Sequence, residues 1–425
     1  MIGHPTDATN GFEANGARMK ILARTGRAVF RALRSISMIP TRFENIAQAR
    51  QRFGDRVDRL APFLLRGDPL ADAVIAEMQD MPRGQGFALV NKILANPHLP
   101  ETQRPPAIRA FFEHVDYVPA WVDWEAMRRG NELLLRSGIL GGIVLGTASL
   151  VMGYTSPAGN KPLVFSGQLQ SKASRRLAET SRFVQAVAQY DGFRRTGEAF
   201  AITIRVRLMH AQVRAMLRQA PYWRTEEWGE PINQHDMAAT TLLFSLIFLE
   251  GIRKLGIETD RIESESFMHL WRYAGHLMGV DTEILPTSEF DGWSLGELIR
   301  ATQGRPDADS QALTRALFDA ALEKAKTPEE IRIGKFRREM GRAFCRHLVG
   351  PEVANALGVP RTPFEPAFFV ARSTTRASEI VRRHSSDVHR AQIASGARYW
   401  ERVVREGLGA IPADFMPPGN LSRAV

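Results

Sequence analysis

One histidine of the chain lies between two arginines at helical spacing. The stretch "IRVRLMHAQVR", residues 204–214, contains Arg207, His210 and Arg214. Residues three or four apart lie on one face of a helix, so these three side chains are predicted to be neighbours. A nearby cation disfavours the imidazolium form, and a histidine that binds a metal must be neutral. The pattern indicates either a histidine kept neutral for a metal or an exposed basic helix.

A haem group would use the same residue types. Haem needs a neutral imidazole for its iron, apolar walls for the macrocycle and cations for its two propionates. His210 supplies the imidazole, and Arg207 and Arg214 supply two cations. The small side chain of Ala211 leaves room beside the ring. A single histidine in a helix is more often structural, so this stretch alone leaves both interpretations open.

A second group of metal-ligating residue types is less suited to a metal. Glu265, His269 and His276 recur near one face in "ESFMHLWRYAGH". Seven residues of helix separate the two histidines by about 10.5 Å, which is too far for one shared metal ion. These residues are therefore predicted to be structural. The sequence also lacks a G-x-S-x-G elbow, an H-E-x-x-H zinc helix and a Walker phosphate loop.

Composition limits the class of protein and of partner. The chain has 425 residues, of which 44% are hydrophobic and 24% charged, as in an ordinary globular protein. Its one cysteine, Cys345, excludes a disulfide framework, a cysteine-rich zinc site and a cysteine-bound iron–sulfur cluster within one chain. The net charge of +10 favours anionic partners. Zinc-finger spacing and RNP-like aromatic motifs are missing, so specific binding of nucleic acid is not expected.

The apolar residues predict helices along most of the chain. Stretches such as "MAATTLLFSLIFLEGIRKLG" and "SRRLAETSRFVQAVAQY" carry them at helical spacing, and alternation with a period of two is scarce. We therefore predict an all-α protein. Residues 1–40 would form a basic arm or helix, 41–405 a single large helical domain, and 406–425 a tail.

The basic N-terminal segment and the glycine-rich segment 137–154 both bear on membranes. The N-terminal segment permits peripheral contact with an acidic membrane surface, although a surface helix or an ordered arm fits equally. It has no apolar core or cleavage site of a secretory signal, so we expect a cytoplasmic protein. Segment 137–154, "SGILGGIVLGTASLVMGY", has 18 uncharged residues, the lower limit for a membrane span. Its five glycines favour a buried central helix that another helix or a flat cofactor approaches closely.

A second helix, upstream of His210, carries a resemblance to a known family. "SRRLAETSRF" places Arg176 and Thr180 four residues apart, and His210 follows thirty residues after Thr180 in "RLMHAQVR". In this order and spacing the chain resembles the latex clearing proteins (rubber oxygenases) and their MpaB-type relatives. Further matching stretches lie between about 110 and 365, and they include "YVPAWVDW", "WGEPINQHDMAATTLLFS" and "RHLVGPEVANALGVP".

The resemblance implies an all-α, globin-like core that holds haem b, with His210 as the proximal iron ligand. Arg176 and Thr180 would lie on the distal side of the haem or support its pocket. Arg207, Arg214 and, by its motif, Arg346 become candidates to pair with the propionates, because guanidinium and carboxylate groups form favourable paired hydrogen bonds. Segment 137–154 would line the cofactor pocket.

The chain also departs from the rubber-cleaving members of that family. They carry a lysine just before the threonine, where this chain has Glu179. Their distal acid falls near Asn160 here, and Lys161 follows it. Glu179, Asn160 and Lys161 are thus three alternatives for the distal base. Rubber-cleaving members are exported, and this chain shows no export signal, so an extracellular polymer is not the expected substrate.

Three hypotheses for the function follow. The first is a haem-b-dependent oxygenase that acts with O₂ on an apolar, isoprenoid or lipid-like small molecule, with Arg176, Thr180 and Glu179 at the reaction site. The second is a haem-binding carrier or sensor without turnover. The third is a basic helical interaction protein without a cofactor. The visible spectrum of the purified protein separates the third from the other two.

Overall fold

A computed structural model describes residues 39–165, 173–323 and 325–408. These residues contain no β-strand, and their one isolated bridge joins Phe43 to Gln303. The prediction of an all-α protein is confirmed. Most of the predicted N-terminal arm and the tail after 408 lie outside the described residues, so the limits given to them stay predictions.

Twenty α-helices follow one another along the described chain. They are α1 (Ile46–Phe53), α2 (Arg56–Leu60), α3 (Pro69–Gln79), α4 (Gln85–Ala95), α5 (Pro106–Asp116), α6 (Trp124–Val144), α7 (Leu150–Gly153), α8 (Pro157–Phe165), α9 (Ala173–Val187), α10 (Glu198–Gln219), α11 (Thr225–Trp228), α12 (Gln234–Phe244), α13 (Leu246–Lys254), α14 (Arg261–Leu277), α15 (Glu289–Ala301), α16 (Ala308–Glu323), α17 (Pro328–Val349), α18 (Pro351–Ala356), α19 (Pro366–His384) and α20 (Ser386–Leu408). Short 3₁₀ turns lie at Ala61–Leu65 and Glu101–Gln103, and one π-helical turn at Leu145–Ser149.

The glycine-rich segment lies in the centre of the fold. Helix α6 packs against α14 and α20 and, through the π turn, continues into α7. Gly138 interrupts α6 at a φ of 48°, a conformation that side chains disfavour. Its neighbour across the interface is Gly396 of α20, where a Cβ atom would overlap the backbone carbonyl oxygen of Leu135. Small residues at this crossing therefore let two helix backbones approach closely, as the sequence predicts.

Two described segments are long and apolar enough to cross a membrane by length and composition. They are Trp124–Gly153 and Gln234–Lys254. The most apolar stretch of 18 residues is 56% buried inside the protein in the first segment and 50% buried in the second. The first is the central helix just described. Core helices of globular proteins pass the same test, so the packing of α6 supports the buried central helix that the glycines predict.

Helix α10 carries His210 and is joined to α3 by ion pairs. Thr203 and Leu208 of α10 are fully buried, and the helix packs against α3, α9 and α14. Asp68 caps the N-terminus of α3 by accepting a hydrogen bond from the backbone of Ala71. Because α9 and α10 are in contact, the Arg-x-x-x-Thr helix lies beside the histidine helix.

Candidate functional site

His210 is a neutral side chain without a hydrogen-bond partner. Its pKa is lowered from 6.5 to about 4, chiefly by burial and also by the cation of Arg214. Its Nδ1 atom is buried and unpaired, and no hydrogen bond to Nε2 occurs within the described residues. The residue nevertheless retains some accessible surface. The free nitrogen of this desolvated ring is the donor atom that a metal would need.

The Arg-x-x-x-Thr face of α9 contributes Arg176. The charge of Arg176 lowers the pKa of His210 and opposes the rise that burial causes in the pKa of Tyr154. Its guanidinium has no ion pair or hydrogen bond within the part of the chain that the structure describes. The structure thus brings three side chains to one place: the histidine of α10, the arginine of α9 and the tyrosine that follows α7.

An aromatic cluster continues the same face of α9. Phe183 lies three residues after Thr180, and its ring is 6.4 Å from that of Phe244 and 6.0 Å from that of Trp271. The rings of Phe244 and Trp271 stack at 5.0 Å. The indole nitrogen of Trp271 is buried without a partner. Phe183 and Phe244 thus join this face of α9 to the main hydrophobic core, in which Trp271 is buried.

The three alternatives for the distal base are all engaged in other contacts. The carboxylate of Glu179 accepts a hydrogen bond of 3.1 Å from Arg175, four residues earlier on the same helix. Asn160 is buried and donates to the carbonyl oxygen of Tyr154 at 2.9 Å. The ammonium of Lys161 lies 2.6 Å from the carboxylate of Asp309. Glu179 would have to leave Arg175 before it accepted a proton, Lys161 would in addition have to lose its own proton, and the amide of Asn160 is not a base.

Two of the three arginines predicted to hold propionates form ion pairs with α3. Arg207 is buried and binds Asp68 through two hydrogen bonds, of 2.6 and 3.0 Å. Arg214, also buried, donates to Asp72 at 2.7 Å. Because the two aspartates lie four residues apart on one face of α3, they match the two arginines of α10. Both guanidinium groups are thus paired with aspartates, although the Nη2 atom of Arg214 is buried without a hydrogen-bond partner, and their contact with propionates stays a prediction.

Arg346 is likewise occupied. It donates to the side chain of Asn355 at 2.9 Å and to the carbonyl oxygen of Val359 at 2.7 Å, and it lies 3.7 Å from Glu365. These contacts tie α17 to the segment after it. Its guanidinium thus already has acceptors within the protein, and the predicted cofactor contact of Arg346 stays a prediction.

Glu265, His269 and His276 have separate environments. The carboxylate of Glu265 accepts a hydrogen bond from the backbone of Glu289, and the Nε2 atom of His269 accepts one from the backbone of Asp123. His276 instead lies beside His114, with ring centres 5.5 Å apart. Within the described ranges, no three His, Cys, Asp or Glu residues are grouped so as to hold a metal ion. A haem iron needs only one protein side chain.

Sequence reasoning missed several residues of this site. Tyr154 ends the glycine-rich segment, and its approach to Arg176 depends on the packing of α9, which no local pattern shows. The position of Phe183 could have been predicted, since this residue continues the spacing of Arg176 and Thr180 along one helix face. Asp68 and Asp72 lie about 140 residues before their arginines, and only the fold brings them together.

The lowered histidine pKa values predict how stability depends on pH. At pH 5 the unfolded chain protonates His210 and His276, whereas the folded protein, in which both pKa values are about 4, does not. The unfolded state therefore binds more protons, and the free energy of unfolding should fall as the pH is lowered from about 6.5 to 4. Urea unfolding of the cofactor-free protein across this range measures the slope. His210→Gln and His276→Gln should each reduce it, and an unchanged slope in both variants would contradict the assignment.

Comparisons with known proteins identify the family of the chain. Residues 133–380, more than half of the chain, match the family of the ER-bound oxygenase mpaB/B′/rubber oxygenase catalytic domain. The chain is 26% identical to the rubber oxygenase of Streptomyces sp. (strain K30) over 302 residues, which are 70% of this chain and 71% of that protein.

The fold also has a counterpart among solved structures. It matches the latex clearing protein LCP in the closed state with a TM-score of 0.61 and 20% identity, covering 85% of this chain and 93% of the other. That likeness is one of fold. Together with the family match it confirms the resemblance seen in the sequence. The chain belongs to the mpaB/B′ and rubber oxygenase family, and it is an oxygenase.

Proposed function

We propose that this oxygenase uses haem b, bound through His210, to oxidise an apolar isoprenoid or lipid-like small molecule with O₂. The observation that carries the proposal is His210 itself, a neutral imidazole whose Nδ1 atom is buried without a partner among the described residues. A buried polar atom without a partner is costly, and binding to iron would remove that cost. The donor type fits haem, and bound haem would supply the activation of O₂.

The remaining residues of the site would position the substrate. The rings of Phe183, Phe244 and Trp271 would offer an apolar wall that orients a hydrocarbon and excludes water. Among the residues that the structure describes, Arg176 has no acidic partner, so its guanidinium could donate hydrogen bonds to an anionic group such as a propionate or to a developing oxyanion. Thr180 lies one helical turn from it and adds a hydroxyl group. Glu179 could act as an acid or base only after separating from Arg175.

A spectrum and an oxygen-uptake assay test the proposal. The purified protein should show a Soret band and a pyridine haemochromogen spectrum of haem b. With squalene, an unsaturated isoprenoid, the haem-loaded protein should consume O₂. Squalane, which has the same carbon skeleton without double bonds, is the matched control and should support little uptake.

Haem without uptake on any unsaturated lipid would favour the carrier or sensor hypothesis. A protein that cannot be loaded with haem would overturn the cofactor assignment. The cytoplasmic location of the protein stays a prediction.

A further inference from the structure

Helix α19 turns an apolar face outward. Phe369, Val370, Ile380 and Val381 are 52%, 64%, 61% and 54% exposed, and Ala377 between them is exposed as well. At 100° per residue these five positions fall within about 120° of one another around the helix axis. Ser373, Thr374 and His384 complete the same face, so it carries no charged group other than a histidine.

The opposite face of α19 is the one that packs onto the protein. Phe368 is buried against Phe344, and Glu379 is 3% exposed and forms an ion pair of 3.2 Å with Arg136. A surface helix ordinarily buries its apolar stripe and exposes its charges. Helix α19 buries its only acidic residue and exposes its largest continuous apolar stripe. The outward face therefore has the composition of an interface.

Arginines line one edge of that face. A helix turns by about 100° per residue, so Arg372 and Arg376 lie at about 300° and 340° around the helix axis if Phe369 is placed at 0°. They are therefore next to Phe369, on the side away from Val370. Neither has an acidic partner within the described chain, whereas the next arginine along the edge, Arg383, pairs with Glu258. The whole chain carries a net charge of +10. The partner of this face should thus be apolar in its interior and negatively charged at its surface.

We propose that the outward face of α19 docks on the surface of an anionic lipid bilayer. Phe369, Val370, Ile380 and Val381 would enter the boundary between headgroups and acyl chains, with the helix parallel to the membrane plane. Arg372 and Arg376 would extend to the lipid phosphates, as long cationic side chains do at such boundaries. A second copy of the chain suits the face less well, because the same face on the copy offers no acidic residue to pair with Arg372 and Arg376.

Vesicle binding of the protein as purified tests this docking surface. Phe369→Ser combined with Ile380→Ser should weaken sedimentation with vesicles containing about a third phosphatidylglycerol at least tenfold. Arg372→Gln and Arg376→Gln should each weaken it about fivefold. Vesicles of phosphatidylcholine alone, or high salt, should have a similar effect to the arginine variants. The matched control is Phe290→Ser with Ile262→Ser, which removes equally exposed apolar side chains from α15 and α14 and should leave binding unchanged.

A local probe keeps the basic N-terminal segment from confusing the result. Cys345 is fully buried, so a cysteine introduced by Val381→Cys can be labelled selectively with an environment-sensitive fluorophore. Its emission should shift to the blue on anionic vesicles, whereas a label at Phe290→Cys should not respond. Equal responses at the two positions, or full binding by the Phe369→Ser, Ile380→Ser variant, would overturn the proposal. So would sedimentation equilibrium that shows a lipid-independent dimer abolished by that variant. None of these measurements depends on the haem assignment.

Discussion

The His210→Ala variant is expected to lose the Soret band of the loaded protein or to shift it strongly. His210 presents the only imidazole at the site that α9 and α10 form within the described chain, and its removal leaves no neutral nitrogen ligand there. Binding of haem should weaken at least a hundredfold, since the iron–nitrogen bond is the main specific contact of the cofactor with the protein. Absorbance titration of the cofactor-free protein with haemin measures the loss.

The matched control is His276→Ala. His276 is also buried, its pKa is also lowered to about 4, and its Nε2 atom is also without a partner. It lies on α14 beside His114 and should have no effect on the spectrum. Added imidazole should restore a histidine-like spectrum to His210→Ala if the pocket is intact, which separates loss of a ligand from loss of the fold. An unchanged Soret band in His210→Ala would contradict the ligand assignment.

Removal of the buried carboxylate of Asp68 should lower the free energy of unfolding by about 3–5 kcal/mol. Asp68→Ala leaves the guanidinium of Arg207 buried without its counter-ion, and an isolated buried charge costs that much. Asp68→Asn keeps the cap of α3, since asparagine is an equally good N-cap residue. It therefore isolates the charge from the cap, and it should still lose most of the stability. Urea unfolding followed by circular dichroism gives the values.

A double variant links this ion pair to the cofactor question. Replacing both partners, as Asp68→Leu with Arg207→Met, removes the uncompensated charge and should recover most of the lost stability. If Arg207 serves only to hold α10 against α3, the double variant should bind haem almost as well as the original protein. A stable double variant that no longer binds haem would show instead that Arg207 contacts the propionates.

The helices and the neutral form of His210 could be predicted from the sequence because both depend on local spacing. The period of the apolar residues indicated an all-α protein, and the neighbours of His210 indicated a neutral imidazole. The roles of Arg207 and Arg214 could not be predicted in this way. Their side chains do lie on the side of α10 that faces a charged surface, but that surface is α3, whose aspartates occur about 140 residues earlier.

Glu179 shows what local spacing could have indicated. Arg175 lies four residues before it, a spacing at which opposite charges pair on a helix. The ion pair of Arg175 and Glu179 could therefore have been predicted from the sequence, whereas the position of Tyr154 beside Arg176 could not. The outward apolar face of α19 is a further case, because spacing identifies an apolar stripe but not the side of the helix that faces solvent.

The crossing of α6 and α20 has a consequence for how the protein reaches its native state. Gly138 and Gly396 meet at this crossing although more than half of the chain separates them in sequence. Helix α20 also lies beyond residue 380, where the match to the family ends, yet it covers the central helix and contacts α9. During synthesis, the apolar surface of α6 therefore stays without this cover until α20, which begins more than 240 residues after the end of α6, has left the ribosome. Such long-range contacts slow folding and expose a nascent chain to aggregation. Because of this one crossing, folding of the protein should depend on chaperones.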